Sequence, residues 1–401
     1  MNLLILGGGI SGLSAAWYLR KRYPSAKITP LEKGSHLGGW MQTAQRQGSL
    51  FEMGPRSFAL SRSPSLLHLI EEVGLKDEVL FSAVSQRFLW HRGALRPARS
   101  FIPMAIGGLL REMFVPKKVC EDESIYDYAK RRLNVKIAET LLDPMALGVY
   151  SGDIRKLSLR SCFPFLYDWE QKGCSLLRGL MQGKKDTRLF TLQRGMGSLI
   201  EAMQKQMDVN IVFDCSVDAI EKEGVRAGGL FWKADKIVSA LPGQVMGRLT
   251  KSWVDFPVQS IWVVSLGFKM EMLKRKGFGY LVPTKEGESV LGVVWDSAIF
   301  PRTSGDYKTI MTAMVRNSGD RLWAEGEAMS ALQRHLGYSG RPDFIEAHLA
   351  EEAIPQFEVG YAGRLAEVQS TLKERFPTLI LTGNYIHGAS VDACIQHSKS
   401  L

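Results

Sequence analysis

Gly7, Gly9 and Gly12 stand in G-x-G-x-x-G spacing, and Glu32 follows Gly12 by twenty residues. These residue types in this order suit a dinucleotide. Gly7 permits a tight turn, Gly9 lets a pyrophosphate approach bare backbone, and Gly12 lets a helix pack close to a sheet. The helix N-terminus offers free N–H groups and partial positive charge to phosphate. An acid at the position of Glu32 accepts hydrogen bonds from a ribose. A Gly-rich turn without a ligand would carry the glycines, but not strand, helix, strand and acid in sequence.

The elements that must position these groups follow from local pattern. Leu3 to Leu6 is a short apolar run, long enough for a buried parallel strand. Ser14 to Arg22 reads as a helix ended by Pro24, and Lys27 to Leu31 as a second strand. Pro30 fits badly there, because proline removes a ladder donor. Phe190 to Leu192, Val209 to Phe213 and Ala234 to Leu241 read as further strands of the same lobe, with a helix from Ser198 to Met207.

Arg56 follows the turn pair Gly54-Pro55, which would deliver it to a strand end facing a crevice. Arginine suits a carboxylate through two parallel hydrogen bonds. A surface ion pair is the alternative. Near the other end, an apolar strand at Leu379 to Leu381 leads into a Gly-bounded loop and the start of a helix at Val391. His387 in that loop reads as structural, and no catalytic base stands out.

The chain of 401 residues is long enough for two or three domains. Its net charge is +10. Much of that lies between Ala83 and Arg188, where 19 Lys and Arg face 11 Asp and Glu. A basic region can serve anionic lipid, nucleic acid or an acidic substrate, or be a solvated surface. The five cysteines, at 120, 162, 174, 215 and 394, form no C-x-x-C pair, which argues against a disulfide framework. The histidines show no metal-binding spacing, so no metal is expected. The opening residues show no basic n-region with an apolar h-region, so a signal segment is not expected. The longest apolar candidate, Phe101 to Leu110, falls short of the ~18 residues that span a bilayer. These features predict an intracellular protein. Arg99 to Val115, apolar with basic flanks at Arg99, Arg111, Lys117 and Lys118, suits either a membrane interface or a buried helix pair.

Farther along, Arg87 to Arg96 reads as a hairpin turning at Arg92-Gly93, and Met145 to Asp153 as a Gly-punctuated turn. Gln259 to Leu266, Phe278 to Val282, Ser289 to Trp295 and Thr309 to Val315 read as strands of a second sheet. Ser318 to Leu336 and Arg364 to Phe376 read as helices, with an extended stretch at Ala347 to Tyr361 between them.

The stretch EKGSHLGGWMQT resembles the second dinucleotide signature of flavoproteins with two dinucleotide-binding motifs, with Trp40 where most members carry Arg. Joined with GGGISGLSAAW, FEMGPRSF, ALGVYSGD, LSLRSCFPFLYDWEQ, GFGYLVP, LGVVWDS, IPQFEVGY and GNYIHGASVDAC, it is similar to the oxygen-dependent, FAD-containing protoporphyrinogen oxidase family through most of the chain. Met196 between Gly195 and Gly197 departs from the usual Gly-Gly pair.

The resemblance implies an α/β fold: a Rossmann-like FAD-binding domain, a mixed-sheet substrate domain and a helical insertion. The expected boundaries are 1–82, 187–250 and 376–401 for FAD, 83–186 for the insertion and 251–375 for substrate. Non-covalent FAD would be held by Gly7, Gly8, Gly9, Ile10, Ser11, Gly12, Glu32, Lys33, Gly39, Trp40, Gly54, Pro55, Arg56, Ser57, Val217, Asn384, Ala389, Ser390 and Val391. Arg56 would also bind a substrate propionate. Phe278 and Leu281 would sandwich the macrocycle, with Met314 nearby and the Gly148 backbone beside the pyrrole nitrogens. The implied reaction is oxidation of protoporphyrinogen IX to protoporphyrin IX in haem biosynthesis, with O2 as acceptor and H2O2 as by-product. Coproporphyrinogen III is the alternative substrate. An amine oxidase fits less well, because no Gly-Gly-Cys setting for a covalent flavin occurs. A flavin-free escort or dissociation-inhibitor protein shares the fold, but Glu32 and the C-terminal Gly loop argue against it. Further expectations are a cytoplasmic location with a peripheral seat on the inner face of the cell membrane, a homodimer, a downstream ferrochelatase and no nucleic-acid partner.

Overall fold

Leu3, Leu4, Ile5 and Leu6 are buried on both sides of a strand, which is what a parallel sheet covered on both faces demands. Leu3 and Ile5 join the core beneath the first helix; Leu4 and Leu6 join the core on the opposite face. The computed structural model describes all residues except 117, 119, 173–185, 187, 252–255 and 303–304. Cys174 and the last part of the expected insertion lie outside the described residues.

The elements that position the site are, in chain order, β1 (Asn2–Leu6), α1 (Ile10–Arg22), β2 (Lys27–Leu31), β3 (Phe88–His91), β4 (Ala94–Pro97), α2 (Ile102–Glu112) and α3 (Asp143–Tyr150). Then come β5 (Lys236–Ser239), β6 (Val258–Phe268), β7 (Gly279–Leu281), β8 (Val290–Val294) and β9 (Thr309–Arg316). The chain ends with α4 (Arg321–Leu336), β10 (Phe344–Pro355), α5 (Tyr361–Arg375), β11 (Leu379–Leu381) and α6 (Val391–Ser400). Other elements are named by their residues.

One sheet is parallel and four-stranded, in the order β11-β5-β1-β2. Its edge strand accommodates Pro30. The Pro30 carbonyl points away from β1 and accepts from the Val212 N–H at 2.9 Å. N–H and C=O of one strand residue point the same way, so the missing donor also faces the edge. Val209 to Phe213, expected as a strand, makes only a single bridge, Leu31 to Val212. The last helix lies along the first: Ser14 Oγ meets Ser398 Oγ at 2.9 Å, and Ser398 also reaches the Ser11 carbonyl. Thus residues from both ends complete the nucleotide lobe.

The second sheet is mixed and seven-stranded, in the order β10-β6-β9-β8-β7-β3-β4. The β3–β4 hairpin turns at Arg92 and Gly93, both at positive φ, as a two-residue hairpin turn requires. It belongs to this sheet, through the pairing of β3 with β7. Helix α4, capped by Asp320 on the Trp323 N–H at 2.8 Å, covers one face. Leu365, Val368 and Leu372 of α5 pack with Leu4, Leu6 and Ile237 of the nucleotide lobe.

A further correction concerns residues 145–153. Most of them are not a turn: Asp143 to Tyr150 is helical, and the chain leaves the helix at Ser151, at φ 52°, with Gly152 and Asp153 following outside it. Pro144 sits in the first turn, where its missing N–H costs nothing. Gly148 does not break the helix, because the apolar neighbours Ala146, Leu147 and Tyr150 bury one side of it and hold it together.

Candidate active site

The nucleotide loop fits the group its sequence implies. A Cβ at Gly12 would lie 1.9 Å from the Gly7 carbonyl oxygen, so α1 seats directly on the turn. The Gly38-Gly39 pair closes against the same loop: Gly9 bridges Gly38, and a Cβ at Gly39 would stand 3.2 Å from the Gly9 Cα. Around Gly9 the space is otherwise open, and that is where a pyrophosphate needs bare backbone. Glu32 accepts from the Gly8 N–H at 2.6 Å and the Gly34 N–H at 2.8 Å. Each carboxylate oxygen keeps a lone pair for a ribose hydroxyl. Ile10 and Ser11 form the first turn of α1, and Lys33 is exposed beside Glu32. Trp40 lies edge-on to His348, with ring centroids 6.1 Å apart. The structure therefore brings Gly7 to Gly12, Glu32, Gly39 and Trp40 into one place.

Gly54 packs on the Trp40 carbonyl, where a Cβ would lie at 1.9 Å. Pro55 and Ser57 flank Arg56, which turns inward and is only 7% exposed. Arg56 Nη1 donates to Asp296 Oδ1 at 3.1 Å, and Asp296 Oδ2 accepts from Thr312 Oγ1 at 2.8 Å. Arg56 Nη2 is buried and has no hydrogen-bond partner among the described residues. Next to it, Glu52 accepts from Thr43 Oγ1 at 2.7 Å and from the Met196 N–H at 3.0 Å, with Arg302 at 3.7 Å. Burial pushes the Glu52 carboxyl up and the Arg302 guanidinium down, and each is opposed by the other's charge.

Val217 begins a strand next to the segment 212–215, which runs alongside Glu32 through the Cys215 N–H to Glu32 carbonyl bond at 2.9 Å. Asn384 Nδ2 donates to the Ala353 carbonyl at 3.0 Å, tying the last loop to β10. Ala389, Ser390 and Val391 open α6, where Ser390 Oγ accepts from the Ala393 N–H at 3.1 Å.

On the face of the second sheet away from α4, Leu281, Gly292 and Met314 pair across β7, β8 and β9. The row continues through Val263 to His348. Gly292 leaves room in the middle, and Gly148 of α3 approaches from outside: a Cβ at either glycine would lie 3.0 Å from Leu281 Cδ2. Phe278 shares this face only because Gly279 breaks the alternation. Its φ of 127° suits glycine alone, and a Cβ there would strike the Val293 carbonyl at 2.1 Å. Tyr280 thereby turns to the opposite core, where its hydroxyl meets His335 at 3.0 Å. Phe278 packs with Val294 and carries the Arg87 guanidinium 5.5 Å from its ring centre. Leu281, Met314, Phe278 and Gly148 are thus assembled around one apolar strip.

His387 does not act alone. Its ring stacks on His397 with centroids 3.6 Å apart, and burial plus the His397 ring press its pKa from 6.5 to about 4. The unfolded chain would therefore take up the proton first as pH falls. Stability should decline between pH 6.5 and about 4. Thermal melts across that range should flatten in His387→Gln; an unchanged slope would remove this pair from the acid response.

Sequence reasoning gave no site role to Asp296, Arg302 or Arg87, and met Thr43 only within a motif. Thr43 and Asp296 left a signal, as members of the EKGSHLGGWMQT and LGVVWDS stretches. Asp296, Arg302 and Arg87 depend on partners more than a hundred residues away.

The model of the family described as flavin containing amine oxidoreductase matches residues 10–400. A protoporphyrinogen oxidase from Bos taurus is 30% identical over 462 residues, covering 99% of this chain and 97% of that protein. A coproporphyrinogen III oxidase from Bacillus subtilis (strain 168) is 25% identical over 454 residues, covering 100% of this chain and 96% of that protein. A crystal structure from Exiguobacterium sp. 255-15 superposes with a TM-score of 0.88 at 23% identity, covering 100% of this chain and 97% of that one.

Proposed function

The chain belongs to the family of flavin-containing amine oxidoreductases and uses FAD, and from that premise we propose that it oxidises protoporphyrinogen IX to protoporphyrin IX with O2 as the final acceptor. The observation that carries this reading is the apolar strip of Phe278, Leu281 and Met314 facing Gly148, with Arg56 and Arg87 at one end. When bound, the flavin supplies hydride acceptance and re-oxidation by O2. The residues expected to hold it are those of the Gly7–Gly12 loop, Glu32, Lys33, Gly39, Trp40, Gly54–Ser57, Val217, Asn384 and Ala389–Val391.

The chain's own part is to bind and orient. A porphyrinogen is a broad apolar ring with acidic arms, and such a ligand needs an apolar slot with a few placed cations. Leu281, Met314 and Phe278 hold the ring. Gly148 brings backbone close to the pyrroles, and its carbonyl falls in the last turn of α3, where carbonyls lack helical partners. Arg56 Nη2 and the Arg87 guanidinium are the cations for a propionate. The purified, flavin-loaded protein should turn protoporphyrinogen IX into a fluorescent porphyrin in air, with H2O2 released. No porphyrin above the uncatalysed rate would overturn the reading.

A peripheral seat on an anionic membrane is the second part of the proposal. No described helix is long and apolar enough to cross a membrane. Ile102, Ile106, Leu110 and Met113 are each about half exposed on α2 and the turn after it, and Phe114 is 86% exposed. Their spacing puts them on one stripe. Arg96, Arg99 and Lys118 nearby are exposed cations. A stripe of this kind lies in the headgroup boundary. The protein should float with vesicles containing phosphatidylserine at low salt, and Leu110→Glu with Phe114→Glu should abolish flotation. A wild type that stays at the bottom at every salt concentration would end this part.

A further inference from the structure

Side chains two residues apart on a strand share a face. On β9 that series is Thr312, Met314 and Arg316. Thr312 holds the Asp296–Arg56 pair, and Met314 lies in the apolar row. Arg316 comes next, roughly 13 Å beyond Thr312 at ~3.3 Å per residue. It borders a cleft of about 170 Å³ lined by Ser151, Gln259, Asn317 and Ser318, with Ile261 and Leu291 as the apolar wall. Ser151 is the residue that ends α3, one turn past Gly148, so the cleft continues the strip.

The guanidinium of Arg316 is partly buried and enters no hydrogen bond or ion pair with the described residues. Asp143 and Asp153 act on it only through their fields. The Asp143 oxygens are already taken by Thr284, through its N–H at 2.7 Å and its hydroxyl at 2.9 Å. Burial accordingly lowers the guanidinium's proton affinity. A desolvated cation without a partner is costly, and a carboxylate offers it two parallel hydrogen bonds.

We propose that this cleft is a second carboxylate subsite, at the end of the slot away from Arg56 and Arg87, and that it lets the enzyme oxidise coproporphyrinogen III as well as protoporphyrinogen IX. This rests on the porphyrinogen reading above. Protoporphyrinogen IX carries its propionates on two neighbouring pyrroles, so cations at one end of the slot suffice. Coproporphyrinogen III carries a propionate on every pyrrole, so an arm also points to the opposite end. The redox balance is the same for both rings: six electrons and six protons leave, and three O2 become three H2O2.

The test compares both porphyrinogens on flavin-loaded wild type, Arg316→Gln and Arg316→Lys, with melting temperature as the check on folding. Arg316→Gln should raise KM for coproporphyrinogen III about tenfold, the loss expected for one charge-assisted pair, with little change in kcat. The KM for protoporphyrinogen IX should move much less, and Arg316→Lys should recover part of the loss. Equal shifts for both substrates, or no shift, would overturn the subsite. So would a wild type that oxidises only protoporphyrinogen IX, which leaves the parent reading intact. If neither ring is oxidised, the parent reading falls; quenching of coproporphyrin III fluorescence on binding then tests the subsite separately, and equal affinity in wild type and Arg316→Gln removes it. Should Arg316→Gln fail to fold, Arg316→Lys carries the same comparison.

Discussion

Gly12→Val should yield a colourless protein. At Gly12 even a Cβ would sit 1.9 Å from the Gly7 carbonyl oxygen and 3.1 Å from its carbon. Both belong to backbone that closes the first turn, so neither can swing aside. To admit a branched side chain, α1 must lift from β1, and its N-terminal amides leave the position where they would meet a pyrophosphate. The expected loss in FAD affinity is at least about a hundredfold, on the order of 3 kcal/mol. Visible absorbance after purification and reconstitution with added FAD would read it. Gly363→Ala is the matched control: it lies inside α5, nothing stands within 4 Å of its would-be Cβ, and it should keep full flavin. A yellow Gly12→Val protein with wild-type affinity would disprove the cradle.

Asp296→Ala should be the most destabilising change near the slot. It leaves Arg56 buried with no carboxylate, and breaking a buried pair from one side costs about 3–5 kcal/mol. It also strips Thr312 of its acceptor. A chain of several domains need not melt in one step, so the onset of the first transition is the proper measure. The expected result is a clear drop in that onset, with partial recovery in the double variant Asp296→Ala, Arg56→Met. No drop would mean that water solvates Arg56 and that the pair is not sealed.

These two residues mark the boundary of what the sequence discloses. Gly12 was legible because its consequence is local: turn, helix and acid fall within the first 32 residues in fixed order. Most strands of the first lobe and of the second sheet, and the helix over 321–336, were legible for the same reason, from periodicity and punctuation, whereas the order of the strands was not. Arg56 reads from sequence as a cation for a carboxylate ligand or as half of a surface ion pair, and the structure shows a buried pair. Its ion-pair partner Asp296 stands 240 positions away, and no pattern links them. Phe278 and Leu281 were placed together by resemblance alone. An odd spacing along a strand argues against a shared face, and only the positive φ at Gly279 reconciles them. The helix through Gly148 was missed because glycine was weighed as punctuation, while the burial of Ala146, Leu147 and Tyr150 decides the matter. The edge position of Pro30 shows the reverse: a local misfit that the register resolves.

The interleaving of both chain ends has a consequence for biogenesis. Residues 379–381 supply one outer strand beside residues 236–239, and residues 391–400 lie against 10–22. While the ribosome is still at work, the greasy flank of the opening helix, including Leu13, Ala16 and Trp17, has no lid. Cofactor loading must therefore wait until residues 379–400 have emerged and docked.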